Sequence, residues 1–168
     1  TRYVVVTGVQ TCALPIFSTL ALFNVLGRIS AGLISDKIGR INTLASACLL
    51  SIVGLYFMYI SGEGDVRTFY IGISIIGICF GSFMGVFPGF TADQFGAKNN
   101  SVNFGIMFSG FAIAGYVGPT IMTNTLKATG SYKGAFLIGI AFSIAGLLLT
   151  FAYRSVNKKV NTILAAQK

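Results

Sequence analysis

Histidine and tryptophan are absent from these 168 residues, and only 10% of the chain is charged. Four carboxylates stand against twelve lysines and arginines. Without histidine the side chain best suited to general acid–base work at neutral pH is missing. The three cysteines show neither metal-ligand spacing nor a disulfide framework. No metal or other cofactor is therefore expected. There is no nucleophile–base pair and no phosphate-cradling Gly-Lys-Ser/Thr, so an enzyme is not expected either. A soluble domain carries about a quarter charged residues, and this chain falls far short of that.

What remains is apolar. Hydrophobic residues make up 54% of the chain and mean hydropathy is +0.80. Long uncharged runs, rather than alternating ten-residue segments, predict an all-α integral membrane fold and not a β-barrel. Five spans are expected, over about 17–34, 41–60, 68–90, 103–123 and 134–153. The 22 uncharged residues between Arg40 and Glu63, and the 20 between Lys133 and Arg154, each suffice for one crossing. Tyr56 and Tyr59 suit an interfacial aromatic belt. The stretches Ser61–Arg67, Thr91–Val102 and Asn124–Lys133 read as polar turns or loops.

A net charge of +8 in a soluble protein would suggest nucleic acid as a partner. Here the cations sit in short loops beside apolar spans, so no nucleic acid is expected and the partner is the lipid bilayer. Five spans put Lys37, Arg40, Lys98, Arg154, Lys158, Lys159 and Lys168 on one side and Arg67, Lys127 and Lys133 on the other. The excess places the first side, with the C-terminus, in the cytoplasm of a multi-pass plasma-membrane protein. The basic tail reads as a solvated end rather than a binding patch.

Gly77, Gly81, Gly85 and Gly89 recur every four residues and form one bare stripe. Such a stripe lets two membrane helices approach closely. Packing is the plainer reading; a sliding surface for conformational change is the functional one. The fourth span is interrupted by Gly105, Gly110, Gly115 and Gly118-Pro119 and should bend, either as a broken helix at a transport site or as a kinked structural helix.

The sharpest feature is Arg28. Asp36 follows it by eight residues, so Arg28 lies about 12 Å inside the helix end, near the middle of a hydrocarbon core about 30 Å thick. Asn24, Arg28, Gly32 and Ser35 share one helix face. A polar stripe in an apolar helix faces a bundle interior or an aqueous cavity. Guanidinium matches a carboxylate in a two-point fork, which makes a carboxylate anion the natural ligand. The alternative is a structural arginine, paired with a carboxylate elsewhere or with helix carbonyls.

The spacing Gly32-x-x-Ser35-Asp36-x-x-Gly39-Arg40 resembles the loop motif of the major facilitator superfamily, in the copy between the eighth and ninth helices. Asn24-x-x-x-Arg28-x-x-x-Gly32 is similar to the eighth helix of its oxalate/formate antiporter and monocarboxylate transporter branches. Thr91–Lys98 and Asn103–Phe108 resemble the oxalate/formate branch as well.

The resemblance implies five helices, eight to twelve, of a partial twelve-helix fold, alternating access around a midplane site, and an N-terminal half of the same transporter as the missing partner. A fragment lacking that half should not transport alone. Gly32, Ser35, Asp36, Gly39 and Arg40 would form the conformational latch, with Gly32 and Gly39 permitting close approach and a tight turn. The oxalate/formate antiporters clamp a dicarboxylate between an eighth-helix arginine and an eleventh-helix lysine. Arg28 matches the arginine, but Phe111 falls where the lysine should be. One cation balances one carboxylate, so a monocarboxylate such as formate, lactate or pyruvate fits better than oxalate. Arg28 and Asn24 would bind it, and Phe108 and Phe111, with Tyr116, would wall its apolar part; plain packing is the other reading of these rings. A carrier of sugars or drugs, or a non-transporting membrane sensor on the same fold, stands as the alternative.

Residues 6–16 resemble the frame translation of a sequencing-library adapter, and residues 1–16 are not expected to belong to the fold.

Overall fold

The computed structural model describes residues 2–62, 65–96 and 98–166, with side chains between 14 and 158. The expected turn residues Glu63 and Gly64 and the tail residue Lys168 lie outside the described residues, as do the side chains of Cys12 and Lys159.

Five helices follow one another, α1 Arg2–Ile38, α2 Arg40–Ile60, α3 Val66–Phe95, α4 Asn100–Thr129 and α5 Lys133–Ala166. Each contains a segment long and apolar enough to cross a membrane, and the described residues contain no strand. This is the all-α membrane architecture the composition predicts. Leu22, Leu33, Phe142, Leu148 and Leu149 are all exposed, as side chains facing lipid tails should be.

The helices outrun the expected spans. Charged and polar residues mark where lipid ends, but a backbone in water can stay helical. Three of the four junctions turn instead at glycines, and these are the positive-φ residues among those described: Gly39 (88°), Gly96 (81°) and Gly130 (69°). Each N–H closes the helix before it, onto Ser35, Ala92 and Leu126 carbonyls respectively. Only glycine enters this left-handed region without strain. The polar stretch Thr91–Phe95, expected in a loop, is therefore the last turn of α3, and α4 runs through its glycines and Pro119 as one helix. α1 likewise begins at Arg2, upstream of the expected start near Phe17.

At the start of α3 the Asp65 carboxylate accepts from the Thr68 amide at 3.3 Å. Hydrogen bonds from Thr68 hold that carboxyl below its usual range.

α3 is the centre of the bundle. α1 and α2 pack on it, and α5 packs on α2. Ala31, Leu44 and Val86 bring the first three helices together, with Phe83, Phe87 and Phe90 against them. Ser51 of α2 donates to Ser143 of α5 at 3.0 Å, tying the outer helix to the core. α4 stands aside, with no buried residue.

Candidate functional site

The glycine stripe of α3 is the seat of α1. A Cβ on Gly77 would meet the Leu20 carbonyl oxygen at 3.1 Å, and one on Gly85 the Arg28 carbonyl oxygen at 2.9 Å. A Cβ on Gly81 would overlap the Asn24 carbonyl oxygen and stand 2.9 Å from the Arg28 amide nitrogen. Contacts advance together along both helices, so α1 and α3 run parallel. α1 answers with Gly27, against the Ile78 backbone. Gly32, expected to permit close approach, has open space where its Cβ would stand. It lies five residues, about 140°, round from Gly27 and faces away from the contact.

Arg28 is thus fixed by its backbone while its side chain is exposed. Nε donates to Asn24 Oδ1 at 3.0 Å, a one-turn pairing that aims the guanidinium along the helix. Among the described residues Arg28 makes no ion pair. It stands ten residues before Ile38, about 15 Å from the end of α1, half the thickness of a hydrocarbon core.

Arg28 follows Gly27 by one residue, and Phe80 precedes Gly81 by one. One step turns a helix by about 100°, and opposite steps on facing parallel helices point to the same side. Arg28 and Phe80 therefore flank the same side of the α1–α3 pair. There Phe80 meets Phe111 of α4, ring centroids 5.6 Å apart, and Phe111 stacks on Phe108 at 5.0 Å. The structure pairs Asn24 with Arg28 and Phe108 with Phe111, but no hydrogen bond or ring contact joins the two pairs. Tyr116, 77% exposed, lies outside the aromatic ladder and lines a separate hollow with Pro119 and Asn124.

At the end of α1 the loop residues converge on Arg40. Its Nε donates to Asp93 Oδ2 at 2.5 Å, and its Nη1 to Ser35 Oγ at 3.5 Å. Asp36 is farther, 3.7 Å from Nη2, and more exposed. A Cβ on Gly89 would overlap the guanidinium, so the last glycine of the stripe makes room for it. Ser35 and Thr91 are buried beside this cluster.

Asp93 is the partner that sequence reasoning missed, although it stands one turn beyond Gly89, about 40° round from it, on the side where Gly89 admits the Arg40 guanidinium. The Arg40–Asp93 pair is 27% and 55% exposed at its two side chains, which places its worth at about 0–1 kcal/mol. Asp93→Asn is expected to lower stability by no more than about 1 kcal/mol, and Asp36→Asn by less, in detergent-solubilised thermal unfolding. A larger effect at Asp36 than at Asp93 would contradict this ranking.

Taken together, α1 is seated parallel on α3, is joined to α2 at Gly39, and ends in a loop cluster centred on Arg40. A family model for the Major Facilitator Superfamily matches residues 7–167. The chain belongs to that superfamily. It is 32% identical over 144 residues to an oxalate:formate antiporter of Oxalobacter formigenes, a match covering 83% of this chain and 34% of that protein. It is 31% identical over 96 residues to an uncharacterized MFS-type transporter, YhjX, of Escherichia coli (strain K12), covering 57% of this chain and 24% of the relative. The chain thus spans about a third or less of the curated relatives it matches. No solved structure matches it. As a member of this superfamily it is a multi-pass membrane protein of a transporter family.

Proposed function

We propose that the protein is a secondary carrier of a small organic anion, and of a monocarboxylate in preference to a dicarboxylate. It works by alternating access in a chain of the length of its relatives and lies in the plasma membrane with the C-terminus in the cytoplasm. The observation that carries this reading is Arg28. A permanently charged group at membrane depth is exposed on the flank of its helix, with a neutral amide as partner and no described carboxylate to neutralise it. Such a group belongs to a water-filled path, and a carboxylate is the anion its fork fits.

Asn24 orients the guanidinium. Phe108 and Phe111 supply apolar surface on the same flank, where an eleventh-helix lysine would be needed to hold a second carboxylate. The likeness to an oxalate:formate antiporter supports the anion class and an exchange mode. Ser35, Asp36, Gly39 and Arg40 hold the cytoplasmic end in one state, with Asp93 as the carboxylate that Arg40 grips; Gly32 takes part only through its carbonyl, which accepts from the Ser35 hydroxyl. Residues 17–168 alone lack the opposing half of the path and carry no flux.

The test is counterflow in proteoliposomes made with the full-length carrier. Vesicles loaded with formate should take up labelled lactate or pyruvate, and external monocarboxylate should compete better than oxalate. Neutral sugars should not compete. Competition by a sugar with none by any carboxylate would overturn the reading, and oxalate outcompeting formate would overturn the single-charge argument.

A further inference from the structure

Three cavities adjoin in a row through shared lining residues and make up a trough, which Tyr153 of α5 crosses to reach Phe90 and Gln94 of α3. The first, about 190 Å³, is lined by Gly39, Arg40, Ile41 and Asn42 at the start of α2 and by Arg154 of α5. Ile41 also lines the second, about 520 Å³, walled by Phe87, Phe90, Leu149 and Ala152. The second shares Leu44, Phe87 and Thr150 with the third, about 500 Å³, which reaches Phe142. The trough therefore runs between α3 and α5 over α2. Along α5 it extends from Arg154 to Phe142, twelve residues or about 18 Å. That is close to the depth of one leaflet, half of a core about 30 Å thick.

Its two ends differ in kind. The long part is apolar, and its rim residues Phe142 and Leu149 are 63% and 71% exposed within a membrane-spanning helix, so it opens toward lipid. The short end carries two arginines. Arg40 is already committed to Asp93, Asp36 and Ser35, which leaves Arg154 as the free one of the two among the described residues, and the Asn42 amide donates to the Ile38 carbonyl. Arg154 makes no hydrogen bond or ion pair with a described residue, and Lys158 stands one turn beyond it. The first turn of α2 carries no acidic residue and no side-chain cap, so its positive end adds to the same field.

We propose that this trough binds an anionic glycerophospholipid, with Arg154 holding the phosphate and one acyl chain lying along the apolar part. Basic pockets at the membrane surface select anionic headgroups, and the length and exposure of the trough select a chain at leaflet depth over a water-soluble anion. The leaflet concerned is the cytoplasmic one if the proposed orientation holds. The site itself needs neither that orientation nor transport activity.

The test is native mass spectrometry of this chain released from detergent with equal amounts of dioleoyl phosphatidylglycerol and phosphatidylcholine. Phosphatidylglycerol should be retained about fivefold over phosphatidylcholine, the increment expected for one basic residue near an anionic headgroup. Arg154→Gln should abolish the preference and Arg154→Lys should keep most of it. Ala152→Phe, which fills the apolar part, should cut retention of phosphatidylglycerol by a similar factor.

Equal retention of the two lipids by the unaltered chain would overturn the proposal without recourse to any variant. Competition by glycerol 1-phosphate at the same concentration would make the site a pocket for a soluble anion and overturn the lipid. Full retention by Ala152→Phe would mean that the acyl chain does not lie along the apolar part, and would also overturn it. Because lipid retention is read without any flux, it stands or falls separately from the carrier reading.

Discussion

Replacing Gly81 with leucine is expected to unseat α1 from α3 and leave the chain unable to assemble. The first atom of any side chain at this position would overlap the Asn24 carbonyl oxygen and crowd the Arg28 amide nitrogen. Both are backbone atoms inside a helix, so no rotamer change relieves the clash and the helices must separate. Overpacking in a closed core commonly costs about 1–3 kcal/mol, and a clash with backbone belongs at or above the upper end. Gly81→Ala should lie between leucine and the native residue, because its Cβ already lacks room.

The control is Gly105→Ala on α4, where a Cβ meets open space. Alanine is the better helix former by about 0.8–1 kcal/mol, so that variant should be neutral or more stable. Thermal unfolding in detergent, with recovery from membranes as a second readout, distinguishes the two. A Gly81→Leu chain that unfolds at the native temperature would show that the α1–α3 seat is not what holds the bundle.

The second large effect is at Arg28, and it should have the opposite character. Its side chain is exposed and its one described partner is Asn24, so Arg28→Ala should leave thermal unfolding of the full-length carrier unchanged within about 0.5 kcal/mol, the usual range for surface changes. Anion counterflow, by contrast, should fall by at least tenfold and up to about a hundredfold. This follows from the loss of a hydrogen bond to a charged group, worth about 1.5–3 kcal/mol. Arg28→Lys should recover part of the flux, because an ammonium keeps the charge but not the two-point fork. If both variants carry lactate at the native rate, Arg28 is not in the path. If both unfold instead, the arginine is structural.

These predictions rest on features that differ in how plainly the sequence displays them. The five crossings were legible because apolar runs of about 20 residues have one stable solution in lipid. The stripe Gly77-Gly81-Gly85-Gly89 was legible as a bare face, but its partner was not. Nothing in a four-residue period says which helix it will meet, and the answer is the backbone of the very turn that bears Arg28.

Helix ends differ from the expected span ends for a physical reason. Hydropathy reports the lipid boundary, whereas α1, α3 and α4 stop at glycines with positive φ, a few residues further on. That shift turns Thr91–Phe95 from loop into helix and carries Asp93 to Arg40. The motif marks Gly32 as a point of close approach; Gly27, which no motif marks, holds that place. The position of α4 was not legible at all, since its apolar residues surround the helix without favouring one face.

A last consequence concerns the junction of α1 and α2. A lone residue, Gly39, separates the two helices, and the Thr43 amide bonds back to the Gly39 carbonyl at 3.1 Å, closing the new helix at once. Two rods joined so tightly behave as a bent lever with its elbow at this end of the membrane. When α1 and α3 tilt together on their glycine seat, α2 is drawn along at this elbow. The elbow therefore ties the orientation of α2 to that of the helix bearing Arg28.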